Sequence, residues 1–168
     1  MRRDPLAEAA ELVPRVYAYV AYRVGDGPDA EDITSEAFER AIRYRNSFDL
    51  RKGEPLSWLI GIARNVIADS RSVPEAELRE SPGSDELYEQ TTQQRVDVSR
   101  AIAELDQREQ ELIALRYGAD LTARQIGMVM EMKTNAVEVA LHRALGRLRE
   151  LLEDSGTDEE PTPRSRVA

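Results

Sequence analysis

The sequence predicts an all-α chain: two small helical domains joined by a flexible acidic linker, with a helix-turn-helix in the second. Three observations carry that reading. Apolar residues recur at helical spacing along most of the chain, and no run is rich in β-branched or aromatic residues. Two capping-box patterns, Asp106-Gln107-Arg108-Glu109 and Thr122-Ala123-Arg124-Gln125, mark helix starts in the second half. Acidic charge gathers between the halves: residues 73–97 hold 2 Lys/Arg against 7 Asp/Glu, whereas residues 1–72 hold 11 against 12 and residues 98–152 hold 8 against 8. The domains expected are therefore 1–72 and 98–152, with a linker at 73–97 and a disordered acidic tail at 153–168.

The first helix is expected over about 6–24, with Val13, Val16, Tyr17, Val20 and Val24 on one face. Pro14 lies inside that pattern, so the helix either kinks or begins there. Residues 25–28, Gly-Asp-Gly-Pro, break the chain, and Asp29 is placed to cap a second helix over about 30–45. Its buried stripe is Ala30, Ile33, Ala37 and Ala41, flanked by Phe38 and Ile42. The opposite face carries Glu31, Asp32, Ser35, Glu36 and Glu39. A polar loop follows at 46–54, with Arg51 and Lys52 adjacent. Pro55 opens a third helix at its favoured first position, with Trp58, Leu59, Ile62, Ala63 and Val66 inward and Arg64, Asn65, Asp69 and Arg71 on the polar side.

Segment 73–97, with Pro74, Ser81, Pro82 and Gly83, has too little apolar surface to offset its ordering entropy. A short helix is then expected around Val98, Ile102 and Leu105. The next carries Leu112, Ile113, Leu115 and Tyr117 and ends at Gly118, a C′ glycine. After Thr122, Ile126, Val129 and Met130 share one face. Residues 131–133 interrupt, Thr134 caps the last helix, and Val137, Leu141, Ala144, Leu145 and Leu148 form its stripe. Two helices joined by so short a turn have the plan of a DNA-binding helix-turn-helix, or of an ordinary helical hairpin.

The totals exclude several functions. With no cysteine there is neither a disulfide framework nor a thiolate metal site, in keeping with a cytoplasmic protein. The lone histidine, His142, makes neither a metal site nor a triad. No glycine-rich phosphate loop is present, so no catalytic residue, cofactor or metal is expected. No apolar run reaches the roughly 20 residues of a membrane span, so membrane insertion is not expected. The net charge of −9 argues against strong sequence-independent affinity for DNA, which needs a surplus of Lys and Arg.

Taken together, four segments resemble the extracytoplasmic-function (ECF) sigma factors, the small promoter-specificity subunits of bacterial RNA polymerase. They are DAEDITSEAFERA at 29–41, FDLRKGEPLSWLIGIARNVIAD at 48–69, LDQREQELIALRY at 105–117 and the helix-turn-helix at 121–149. The resemblance implies a chain that does no bond chemistry, is monomeric when free, binds core RNA polymerase and promoter DNA, and answers to an anti-sigma factor. It assigns polymerase contacts to Asp29, Glu31, Asp32, Glu36, Glu39 and Arg40. It assigns the capture of a flipped minus-ten base to the loop holding Ser47, Phe48, Arg51 and Lys52, with Arg64 and Asn65 facing the upstream part of that element. It assigns minus-thirty-five contacts to Thr134, Asn135, Glu138, Val139, His142, Arg143 and Arg147.

The chain departs from the family pattern at Glu131, where the tight turn usually has Gly, at Glu138, Val139 and Ala140, where Lys, Ser and Arg are usual, and at Gly61, where Arg is frequent. Two other readings stay open: a sigma-like interaction protein with altered or lost promoter readout, and a helix-turn-helix regulator outside the sigma family.

Overall fold

Helical periodicity turns into helices wherever an apolar stripe finds a partner. The computed structural model describes residues 4–71 and 89–156, and every regular element among them is helical. Of the linker expected at 73–97 and the disordered tail expected at 153–168, residues 73–88 and 157–168 lie outside the described residues, and the start of that tail is helical, since the last helix runs on to Ser155.

The first half packs α1 (Ala9–Val24), α2 (Pro28–Tyr44) and α3 (Pro55–Arg71) together. Pro14 sits inside α1, which begins before it. The buried face of α1 is Leu12, Val16, Tyr19, Val20 and Arg23, rotated from the expected one, and Val13 is 42% exposed. The rotation follows from two polar residues, Tyr19 and Arg23, that find partners in the second half. α2 is capped by Gly27 in an extended positive-φ conformation, with Pro28 at its first position; Asp29 lies in the first turn rather than at the cap. A proline there loses nothing, because that N–H has no helical acceptor anyway. Ala30, Ile33, Ala37 and Ala41 are buried as expected, whereas Ile42 stands 57% exposed. Two 3-10 turns, Arg45–Ser47 and Leu50–Lys52, shape the loop before α3.

In the second half, α4 (Glu89–Glu104) begins well before Val98, so the final part of the expected linker is helical. α5 (Gln107–Ile113) runs into a π-turn, Ala114–Gly118, and α6 (Ala123–Met130) and α7 (Thr134–Ser155) follow. Both capping boxes form. The Asp106 carboxylate accepts from Glu109 N at 2.8 Å, and the Thr122 hydroxyl accepts from Gln125 N at 3.2 Å, each with the reciprocal bond. Thr134 is the first residue of α7 rather than its cap; Lys133 holds the cap position without a side-chain bond. Gly118 is not a left-handed terminator, since the positive φ falls on Asp120 (55°). Gly118 is required by packing: a Cβ there would lie 2.8 Å from Tyr19 Cα and 2.9 Å from the Ala18 carbonyl.

The halves share one apolar core, in which Leu12, Val16, Leu59 and Ile60 join Leu112, Leu115, Leu121 and Ile126. A smaller cluster of Ile102, Leu105, Ile113 and Ala144 holds α4 and α5 on α7, and Leu145 and Leu148 pack against it half-buried.

The crossing of α6 and α7 is the tightest point of the second half. Gly127 gives its carbonyl to Met132 N at 2.8 Å, and a Cβ on Gly127 would stand 2.5 Å from the Met132 carbonyl oxygen. Glu131 turns the chain in the left-handed region (φ 56°, ψ 44°), a conformation costly for a residue with a Cβ. Glu131→Gly is therefore expected to raise the unfolding free energy by about 1 kcal/mol. Gly127→Ala should lower it by about 1–3 kcal/mol through overpacking. Thermal denaturation checks both, as midpoint shifts of opposite sign.

Candidate functional site

Three exposed surfaces hold the residues singled out in the sequence. The first is the outer face of α2. Burying the Ala30, Ile33, Ala37 and Ala41 stripe turns Asp29, Glu31, Asp32, Glu36 and Glu39 to solvent. Glu31, Asp32 and Glu39 have no ion-pair partner among the described residues. Arg40 is tied on both sides, to Glu36 within α2 and to Asp69 of α3 at 2.8 Å. It therefore works first as a strut between two helices. A groove of about 630 Å³ runs along this face, lined by Asp32, Glu36, Glu39, Arg43 and Tyr44 among others. Tyr44 is 54% exposed and gives it an apolar rim beside the carboxylates.

The second surface is the loop between α2 and α3. Ser47 is exposed and donates its hydroxyl to the Tyr44 carbonyl at 2.7 Å. Phe48 sets its ring against Trp58 edge to face, centroids 5.4 Å apart at 62°. That contact explains why Trp58 is only half-buried: it braces the loop rather than filling the centre of the core. Asp49 accepts from the Arg51 backbone N at 3.0 Å and from the Arg51 guanidinium at 3.1 Å, so the loop closes on itself. Arg51 and Lys52 remain exposed at the mouth of a hollow of about 820 Å³, whose lining includes Arg45, Asn46, Phe48 and Leu50. An open hollow rimmed by cations with an aromatic side chain in its wall has the character of a site for an unstacked base.

The third surface is the start of α7. Thr134, Asn135, Glu138, Val139, His142 and Arg143 are all exposed, opposite the buried Val137, Leu141 and Ala144. Val139 is 50% exposed, an apolar group held out to solvent. Arg147 lies 3.9 Å from Glu109, a long, open ion pair of little energetic weight.

Asn65 is exposed on α3, but Arg64 is not free. Its Nε lies 2.9 Å from Glu111 of α5, and its Nη1 donates to the Val129 carbonyl of α6 at 3.0 Å. Glu111 is buried, and three groups from the first half converge on it. Besides Arg64, the Tyr19 hydroxyl donates at 2.7 Å and Arg23 Nε lies 3.1 Å away as an ion pair. Burial, followed by the Glu111 carboxylate, pushes the Tyr19 phenol far above its ordinary value, so it remains a donor throughout the working pH range. Sequence reasoning passed over Glu111, Tyr19, Arg23 and Arg15. The available signal was their position: Tyr19 and Arg23 continue the Leu12–Val16 stripe at helical spacing, and Glu111 adjoins Leu112 on the inner side of α5.

The chain matches the sigma-70 region 2 family over residues 9–72 and the sigma-70 region 4 family over residues 101–150. It is 31% identical over 152 residues to the ECF RNA polymerase sigma factor BldN of Streptomyces coelicolor, an alignment covering 83% of this chain and 56% of BldN. It is 31% identical over 174 residues to SigD of Mycobacterium tuberculosis, covering 92% of this chain and 80% of SigD. Two solved structures share the fold at 21% identity. The sigma factor RpoE of Bartonella quintana, in complex with the anti-sigma factor NepR, has a TM-score of 0.64 and covers 87% of this chain and 94% of its own. CnrH, in complex with the cytosolic domain of CnrY, has a TM-score of 0.61 and covers 89% and 85%. Region 2 followed by region 4 defines a two-module chain of the sigma-70 class. Within that class, the chain belongs to the ECF RNA polymerase sigma factor family.

Among the described residues, no helix is long and apolar enough to cross a membrane, and no group of His, Cys, Asp and Glu is arranged to hold a metal.

The Asp49–Arg51 clasp makes a pH prediction. The guanidinium and backbone N–H of Arg51 hold the Asp49 carboxyl below the ordinary carboxylate range. A depressed value means that the clasp is complete above the unfolded value of about 3.9 and is lost as pH falls through the folded one. NMR titration of the Asp49 carboxyl should show a midpoint below about 3.9. A midpoint at or above that value would mean that the clasp is absent in solution.

Proposed function

We propose that this chain directs core RNA polymerase to promoters, docking on it through the acidic face of α2. The single observation that carries this reading is the pairing of two sigma modules, in family order, with the carboxylates of α2 turned outward. A ridge of Asp29, Glu31, Asp32, Glu36 and Glu39 suits a basic protein surface by charge complementarity. It does not suit DNA. The loop hollow at 45–52 takes a base from the minus-ten element, with Phe48 as its aromatic wall and Arg51 and Lys52 on the backbone. The start of α7 enters the major groove of the minus-thirty-five element. There Asn135 suits adenine, Glu138 can accept from a cytosine amine, and Val139 can touch a thymine methyl. Arg143 and Arg147 serve phosphates. The complexes of RpoE with NepR and of CnrH with CnrY support control of this chain by an anti-sigma factor. The working compartment is the cytoplasm.

Exposed Glu138 on an otherwise weakly basic α7 favours one competing reading, a polymerase-binding protein with altered or lost promoter readout. Run-off transcription separates the two. Core polymerase plus this chain should yield transcripts from its promoter that core alone does not. Co-elution with core and no transcript would favour the competitor.

Arg143→Ala should weaken promoter binding by the polymerase complex and make its salt dependence shallower by about one unit of slope. Titrations at several salt concentrations measure this. An unchanged slope would remove Arg143 from the phosphate contacts.

A further inference from the structure

The sulfur of this chain is gathered at one place. There is no cysteine, and of four methionines three stand at 128, 130 and 132. They occupy the end of α6 and the turn into α7. We propose that Met128, Met130 and Met132 form a reversible oxidation site that couples peroxide to the setting of α7. Its effect on promoters rests on the sigma-factor reading; the oxidation itself does not.

A small oxidant can reach the site. Met128 is 55% exposed, and Met130 and Met132 are half-buried. The Met132 sulfur lies at the surface, where it accepts from Arg108 Nη2 at 3.4 Å. In the reaction, the thioether sulfur attacks one oxygen of hydrogen peroxide. The S–O bond forms as the O–O bond breaks, and the proton of the transferred oxygen passes to the departing hydroxide, which leaves as water. Sulfur is oxidised by two electrons and the peroxide is reduced by two. The product is a polar, chiral sulfoxide, which methionine sulfoxide reductases return to the thioether.

Oxidation strikes where the turn is held. Met130 and Met132 flank Glu131, and both pack against the larger core. Glu131 is left-handed (φ 56°), and such a conformation persists only where its surroundings impose it. Met132 also donates its backbone N–H to the Gly127 carbonyl at 2.8 Å, and Lys133, next in the chain, is the cap of α7. A sulfoxide oxygen against aliphatic neighbours needs a donor. At Met132 one is at hand, because the Arg108 guanidinium already faces the sulfur, a weak acceptor that the new oxygen outcompetes. The oxidised side chain therefore leaves the core for Arg108, and Glu131 loses one of its two supports. α7 then has no fixed start, and groove contact must first restore the left-handed turn. The cost of that conformation corresponds to about tenfold in affinity.

The test treats the full-length chain with hydrogen peroxide, removes the peroxide, and then adds core polymerase and promoter DNA. Peptide mass spectrometry reads oxygen uptake at each methionine, hydrogen exchange reads the Met132 amide, and a titration reads promoter affinity. The expected result is uptake at Met128 first and Met132 next, faster exchange at the Met132 amide, and promoter affinity lowered about tenfold. Methionine sulfoxide reductase should restore both exchange and affinity. Met132→Leu, close in volume, should keep its affinity after peroxide, whereas Met128→Leu should lose it as the wild type does. Met132→Gln, polar from the start, should bind about tenfold more weakly without peroxide. Met1 is present in every variant, so its oxidation cannot account for a difference between them. Circular dichroism sets aside any variant that has lost helix, and the wild type before and after the reductase decides if all have. No oxygen uptake at Met128 or Met132, under peroxide that oxidises free methionine, overturns the site. Uptake with unchanged exchange and affinity overturns the coupling. A loss that the reductase does not reverse, or that folded Met132→Leu shares, overturns the assignment to Met132, as does Met132→Gln binding like untreated wild type. Failure of the untreated chain to bind promoter with core overturns the sigma-factor reading instead, and mass spectrometry and amide exchange still decide the oxidation site.

Discussion

A single buried carboxylate, Glu111, settles how the two halves of this chain meet. An anion in an apolar interior is costly unless charged or polar donors surround it. Here the donors all come from the other half: Tyr19 and Arg23 on α1 and Arg64 on α3. Their convergence turns α1 about its axis, so that a tyrosine and an arginine take core positions while Val13 faces water. The same rotation brings Ala18 and Tyr19 against the π-turn, where only a residue without a side chain fits. The stripe of α1, the glycine at 118 and the engagement of Arg64 are thus three consequences of one electrostatic demand.

Region 4 is held by different means. Its two capping boxes fix where α5 and α6 begin, and its aliphatic seam of Ile102, Leu105, Ile113 and Ala144 joins α4 and α5 to α7. The strained point is the turn between α6 and α7. Gly127 permits the backbones to touch, and Glu131 accepts a left-handed conformation that costs a residue with a Cβ roughly 1–2 kcal/mol. The angle at which α7 is presented therefore depends on the backbone of 127–133 rather than on its outward side chains. Those side chains, Asn135, Glu138, Val139 and His142 among them, are left to set which bases are preferred.

How much of this could be read from residues alone depended on how local the cause was. Both capping boxes were legible because a cap and its acceptor lie three residues apart. The helix-turn-helix and the alanine stripe of α2 were legible because spacing on one helix determines its face. The buried face of α1 was not, because its polar members are paid for by residues more than eighty positions away. Gly118 looked like a helix terminator for the same reason: the crowding that requires it comes from α1. The early start of α4 at Glu89 was hidden by composition, since Gln, Thr and Glu give a helix little apolar face to detect. Thr134 resembled a cap, yet the chain leaves the turn one residue sooner, at Lys133. The candidate DNA residues were placed on exposed faces with two exceptions: Phe48, half-buried against Trp58, and Arg64, whose partners belong to the other half.

The charge distribution gives the order of events its logic. Region 2 carries a net −1 and region 4 a net of zero over residues 1–72 and 98–152, so neither draws DNA from a distance. Long-range attraction in this molecule instead belongs to the carboxylates of α2, and it points toward a basic protein surface. That face is exposed in the packed chain, while Arg64, with about a third of its side chain exposed, is engaged by Glu111 and the Val129 carbonyl. A basic partner can therefore be met first and DNA second. The weakly basic surface of α7 fits the same order. A helix brought to its site by a larger assembly needs little affinity of its own, and a surface with little nonspecific affinity leaves discrimination between sequences to a few base contacts such as those available to Asn135, Glu138 and Val139.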